Sequence, residues 1–140
     1  MSLLVILLLT YTIVKGQNNP NFITLNTKNG LSSNTVNTIL QDHNGLVWFG
    51  TSDGLNKFDG TNFTVYTTKS GDSTSIPSNN ISALLEDRNG RLWVGTNGGG
   101  LAYYDAKQNT FKSFIGEGIP NRNVPFNVLT LYEDLSLIHI

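Results

Sequence analysis

Residues 33–51 return as residues 78–96, 45 positions later, with nine of the nineteen positions identical. The shared frame opens with Ser-Asn and closes with Asp-x-Asn-Gly-x-x-Trp-x-Gly-Thr. It supplies Asp42, Asn44, Gly45, Trp48, Gly50 and Thr51 in the first copy, and Asp87, Asn89, Gly90, Trp93, Gly95 and Thr96 in the second. A unit of about 40–50 residues cannot bury an apolar face alone and must stack on its neighbours, which points to propellers or other stacked arrays. The question of function changes with it. A stacked repeat is a scaffold, and its specificity resides in loops that differ between copies.

Each copy reads as four short strands. In the first, an apolar run around Val36, Ile39 and Leu40 ends at Asp42-His43-Asn44-Gly45, a tight turn because Asn-Gly supplies positive φ at low steric cost. Leu46-Val47-Trp48-Phe49 is continuously apolar, suited to a strand covered on both faces. Leu55-Asn56-Lys57-Phe58 and Phe63-Thr64-Val65-Tyr66 follow after turns at Ser52-Asp53-Gly54 and Asp59-Gly60-Thr61-Asn62. The second copy keeps the order, with its extra residues in the turns at 97–100 and 105–109. Four antiparallel strands per repeat make one propeller blade, so the expected fold is all-β, a propeller fragment of two four-stranded blades.

The flanks extend the pattern. Asn21-Phe22-Ile23-Thr24-Leu25 matches Asn62-Phe63-Thr64-Val65-Tyr66 and predicts an outermost strand near 22–25, of the kind that closes a propeller against its final blade. Residues 128–134 run in register with 81–87 and predict the start of a third blade. Blade strands are therefore expected near 22–25, 36–67, 81–114 and 128–134, within a partial propeller over 17–134. After Asp134 the frame calls for Asn-Gly and a Trp strand. Leu135-Ser136-Leu137-Ile138-His139-Ile140 supplies neither and reads as a foreign tail, similar to a translated sequencing adapter. Two blades and fragments cannot close a ring of four to eight blades.

The N-terminus carries an apolar run over 3–14, shorter than the about 17–25 residues a bilayer span needs. It suits the core of a signal peptide over 1–16, with the small Gly16 at the cleavage position and Gln17 as the new N-terminus, although no basic residue precedes the run. An N-terminal anchor is the alternative, and either way the blades are expected outside the cytoplasm. Without that segment, eight basic residues (the nine less Lys15) face ten acidic ones. Such a balance gives no basic patch for phosphates and argues against a nucleic-acid partner. The absence of cysteine removes disulfides and thiol chemistry.

Both Asp-x-Asn-Gly-x-x-Trp segments resemble the Asp-box, the structural turn of sialidase-type propellers. There the carboxylate accepts backbone N–H bonds across the hairpin and the Trp packs between blades. On this basis Asp42, Asn44, Gly45, Trp48 and Gly50, with Asp87, Asn89, Gly90, Trp93 and Gly95, are turn and core residues rather than calcium ligands or sugar-stacking platforms. In register, the two copies resemble the two-component regulator propeller repeat over roughly residues 22–134. That resemblance implies the N-terminal sensor region of a hybrid histidine kinase of Bacteroidetes type. Such a protein is held at the periplasmic face of the inner membrane by a downstream helix, joined to further blades and a homodimer partner, and responsive to oligosaccharides.

The residues themselves carry no catalytic constellation. His43 stands alone in a turn with Arg88 as its counterpart, and His139 lies in the suspect tail. No metal-ligand spacing, nucleophile triad or phosphate loop is present, and no cofactor is expected. Glu86-Asp87 and Glu133-Asp134 are strand neighbours facing opposite ways, a poor acid–base pair. Tyr103 and Tyr104 should likewise point one into the packing and one outward. The connections at 67–77 and 115–125 differ between copies and should share a ring face with the turns at 52–53 and 97–98. Asp53, Lys69, Asp72, Asn97 and Arg122 are the polar residues expected to meet a ligand or a second propeller. Three functions remain open: a sensor propeller, a propeller of a secreted carbohydrate-active enzyme, and a structural adhesion or assembly propeller.

Overall fold

The computed structural model of the chain describes residues 22–114 and 127–134. The expected signal segment at 1–16, Arg122 and the tail at 135–140 lie outside the described residues. Two antiparallel meanders of four strands follow one another. The first comprises β1 (Val36–Gln41), β2 (Val47–Thr51), β3 (Gly54–Phe58) and β4 (Phe63–Tyr66). The second comprises β5 (Ile81–Glu86), β6 (Leu92–Thr96), β7 (Gly100–Asp105) and β8 (Thr110–Phe114). The expected all-β architecture of two four-stranded blades is present.

The turns form for the reason the repeat suggests. Asp42 Oδ1 accepts from the backbone N–H of Asn44 and Leu46, both at 3.0 Å, while Gly45 takes φ 82°. Asp87 does the same for Asn89 (3.0 Å) and Arg91 (2.9 Å), with Gly90 at φ 72°. The second oxygen of each carboxylate receives the indole N–H of the following Trp, 2.8 Å from Trp48 and 2.9 Å from Trp93. One Asp thus ties a turn to the strand that leaves it, and gives a buried indole the partner it requires.

The core lies between the two sheets, where β5 packs against β1 and β2. Trp48, Leu55, Ile76, Ile81, Leu92, Val94, Ala102 and Phe111 fill it, with Leu40, Tyr66, Leu84 and Tyr104 at its margin. Leu55, Ile76, Ile81 and Val94 are almost wholly removed from water, each contributing about 1.5–3 kcal/mol. Glycine sets the spacing: a Cβ on Gly50 would lie 2.6 Å from Ile81 Cγ2, and one on Gly95 would lie 2.6 Å from Val128 Cγ1. The Trp-x-Gly-Thr frame therefore encodes the close approach of the second strand of one blade to the segment that follows across the seam.

A second device recurs at the same place. The ladder of β1 with β2 shifts register between Val36 and Thr38, and that of β5 with β6 shifts between Ile81 and Ala83. Each bulge releases one residue and re-aims its side chain. Asn37 Nδ2 donates to the carbonyl of Ile81 at 2.8 Å, and the Ser82 hydroxyl donates to the carbonyl of Val128. In both described blades the bulged residue fastens the segment that follows at the seam.

Residues 128–134 accordingly occupy the place predicted for a third inner strand. Val128 stands to Gly95 as Ile81 stands to Gly50, and its N–H donates to the carbonyl of Thr96 at 3.0 Å. The segment is nonetheless in no sheet, and neither are residues 22–26, where an outer strand was expected. A strand requires a ladder partner, and neither segment has one among the described residues. Phe22 and Ile23 are exposed as a consequence.

Candidate functional site

Packing consumes most of the repeat. Trp48 is sandwiched in the seam between blades, 6.1 Å from the Tyr66 ring and edge-on to Tyr104 at 5.1 Å. The Lys57 ammonium lies 5.7–5.8 Å from the centroids of Trp48, Tyr66 and Tyr104, so the cation sits on three aromatic faces at once. Tyr66 and Tyr104 both donate to Asn109 Oδ1 at 2.7 Å. Burial, and then the Tyr104 hydroxyl, push the Tyr66 phenol far above its ordinary range, which keeps it neutral. In the second blade Tyr103 packs at a tilt against Trp93 at 5.5 Å and carries the Arg91 guanidinium 4.8 Å above its ring. Tyr103 and Tyr104 do face opposite ways, but both faces are packing faces, one towards each Trp.

Two of the candidate residues lie on the face on which the β2–β3 and β6–β7 turns meet the β4–β5 connection. Gly54 N–H donates to the carbonyl of Asn79 at 2.7 Å, and Asn97 N–H to that of Asn80 at 2.8 Å. The Ser78 hydroxyl completes the link by donating to the carbonyl of Asn97 at 2.8 Å. Both expected turns therefore share this face with the connection. Asp53 projects from the first turn, exposed, with its own N–H held by the Thr51 hydroxyl at 3.0 Å. Asn97 occupies the corresponding turn of the second blade and is bound there through its backbone.

Lys69 and Asp72 are brought together elsewhere on the same connection. It crosses to the outer strands, where Phe111 N–H donates to the carbonyl of Thr74 at 2.8 Å. Beneath it opens a cleft of about 240 Å³, lined by Tyr66, Lys69, Asp72, Ser75, Asn109 and Phe111 among others. Asp72 accepts from the hydroxyl and N–H of Thr74, at 2.5 and 2.9 Å. Those bonds, with the Lys69 charge nearby, hold its carboxyl below the ordinary range. The cleft is small against the 300–1,000 Å³ typical of ligand pockets. Of the five candidates, Lys69 and Asp72 share this cleft, Asp53 and Asn97 occupy equivalent turns, and Arg122 is outside the described residues.

Two features escape a reading of the chain alone. His43 is not alone: its N–H donates to Glu86 Oε2 at 2.9 Å, and its imidazole Nδ1 pairs with Oε1 of the same carboxylate. The signal was the residue before each Asp, which is Gln41, Glu86 and Glu133 in the three copies. Asn56 is fully buried in β3, accepting from Ser32 N–H at 2.8 Å and donating to the Ser32 hydroxyl at 2.8 Å. It anchors the segment entering the first blade. Its counterpart in the second is the apolar Ala102, so nothing in the frame marked it.

Comparison with known proteins agrees with this geometry. Residues 30–53 and 75–98 match the family described as two component regulator propeller. A histidine kinase of Formosa agariphila is 55% identical over 47 residues, 34% of this chain and 3% of its own length. A crystal structure from B. thetaiotaomicron, of the extracellular domain assigned to a hybrid two component system, superposes with a TM-score of 0.61. It is 32% identical, and the match covers 77% of this chain and 14% of that one. The chain thus spans a small fraction of the proteins it resembles. Its two matched segments each contain the first two strands of a blade, and each is similar to a two-component regulator propeller repeat.

Proposed function

We propose that these blades are part of the sensing propeller of a hybrid two-component histidine kinase, at the periplasmic face of the inner membrane, and that the propeller reports an oligosaccharide. The observation that carries this reading is the division of labour within the repeat. Asp42, Trp48 and Gly50 and their counterparts are consumed by turns and seams, while the differences in length between blades fall in turns and connections. Similarity to a histidine kinase and to a two-component extracellular domain supports the signalling role. A ligand held by the face of Asp53 and Asn97, or by the cleft of Lys69 and Asp72, would signal by favouring one sensor arrangement over another. The kinase chemistry, the homodimer and the membrane helix belong to the whole gene product.

The test is phosphotransfer by the full-length gene product in membranes, measured against a panel of oligosaccharides. One class should change the rate, and Asp53→Ala with Asn97→Ala, or Lys69→Ala with Asp72→Ala, should reduce that response. A response to none of them, with intact phosphotransfer, would remove the glycan assignment. Absence of phosphotransfer under any condition would remove the kinase. Export is checked separately: a reporter fused after Asn29 should be cleaved near Gly16 and recovered outside the cytoplasm, and cytoplasmic retention of the intact fusion would contradict the location.

A further inference from the structure

The two seams are equivalent by the repeat but are closed by different cations. At the first, His43 of the β1–β2 turn takes Glu86 of β5 through both its N–H and its imidazole. The Glu86 side chain keeps only 17% of its exposure, so its charge sits in a partly desolvated groove. The imidazole lies against Gly90 of the next blade, where an added Cβ would come within 2.9 Å of Cε1. At the second seam, Arg88 takes Glu133 through its N–H (3.4 Å) and its Nε (3.5 Å), and donates from Nη2 to the carbonyl of Asp134 at 3.0 Å. His43 and Arg88 are the same position of the repeat, as are Glu86 and Glu133.

We infer that the seam between the first and second blades is a proton-operated latch, drawn tight by an imidazolium at His43 and loosened when that proton leaves, whereas the Arg88 seam does not respond. A guanidinium stays charged at any pH a protein meets, and an imidazole does not. The groups around the ring favour its charged form. Glu86 faces it from β5 and Asp42 from its own turn; the described residues lining the same groove also include Tyr104 of β7 and Lys57 of β3, whose ammonium is seated on aromatic faces. The bond to Glu86 is the leading influence and raises His43 above its ordinary 6.5.

The sign follows. A group whose proton is held more tightly in the folded state contributes most below its ordinary value, and that contribution is lost as the pH rises through the raised one. A neutral ring in its Nδ1–H tautomer still donates to Glu86 but without charge, so the latch weakens rather than opens. Among the described residues, the regulatory consequence is confined to the seam between the first two blades.

Imidazole C2–H exchange read by mass spectrometry gives the His43 titration directly, in the longest soluble form of the gene product containing both blades. Backbone exchange in the 42–46 and 87–91 turns, taken as a ratio at each pH, cancels the intrinsic pH dependence. His43 should titrate above 6.5 and return to the ordinary range in Glu86→Gln. The protection of the first turn relative to the second should fall by about two- to fivefold between about pH 6 and about pH 8. His43→Arg should flatten that ratio, and Arg88→His should transfer the dependence to the second seam. A His43 midpoint at or below 6.5, a midpoint unmoved by Glu86→Gln, or an undiminished pH dependence in His43→Arg would each overturn the inference.

Discussion

Trp48 and Trp93 hold the same position in the repeat, make the same bond to an Asp six residues earlier, and differ in fate. Trp48 retains 1% of its exposure because Tyr104 and Leu92 of the second blade close over it, while Trp93 is only half-buried against Tyr103 and Phe114 of its own blade. The contrast separates what a repeat encodes within itself from what it borrows. Turn, strand register and indole hydrogen bond are internal to the blade. Burial is supplied by the neighbour, as expected where each unit contacts mainly the next.

The largest test of that contrast is truncation of each indole. Trp48→Ala should cost about 3–5 kcal/mol in urea melts, the range for losing a large aromatic ring from a packed core. Trp93→Ala should cost clearly less in this chain and rise towards the same figure once further blades are added downstream. Equal costs in this chain would break the comparison.

Gly50→Ala comes next, at about 1–3 kcal/mol, because its new methyl meets Thr38 and Ile81 across a tight seam. Gly95→Ala comes nearest to Val128, on a segment held in no ladder among the described residues, and to Ala83, so denaturant midpoints should place it below Gly50→Ala.

Acid titration gives a smaller effect within one turn. Burial alone would raise the Asp87 carboxyl, but the bonds from the Trp93 indole and the N–H groups of Arg91 and Asn89 outweigh it and hold the group below its ordinary 3.8. Its contribution is present above that value and lost as the pH falls through the lowered one. Asp87→Asn should therefore flatten the acid limb of the stability profile, which melts across that range will show. Smallest of all, Asp53→Ala and Asn97→Ala should change stability by no more than about 0.5 kcal/mol, since both project from turns that their backbones hold. A larger loss would move them from recognition to packing.

The internal half of this account is what a reader of the chain can recover. Asp42, Asn44 and Gly45 form their turn from consecutive residues, and the run around Trp48 needs no distant partner to declare itself a buried strand. The borrowed half is harder. His43 looks solitary because Glu86 lies 43 residues away and the neighbouring copy carries Arg at its position, which hides the shared role of a cation. Asn37 and Ser82 look like ordinary strand residues until a bulge turns them across the seam. Residues 22–25 match an outer strand in composition, yet pairing is a property of two segments, and only one is among those described. The ring-face candidates fall between these cases. Their turns are evident from Gly and Asp, whereas the cleft that Lys69 and Asp72 line depends on how the connection crosses to β8.

Adjacency of the two blades underlies all of this, and a double-mutant cycle between Trp48 and Tyr104 measures it most directly. The edge-on contact at 5.1 Å crosses the seam, with Tyr66 and Lys57 packed against both rings. With Trp48→Leu and Tyr104→Leu, singly and together, the account predicts a coupling of about 0.5–1.5 kcal/mol. Additive losses, to within about 0.3 kcal/mol, would mean that the two rings do not meet and that the repeats are not successive blades.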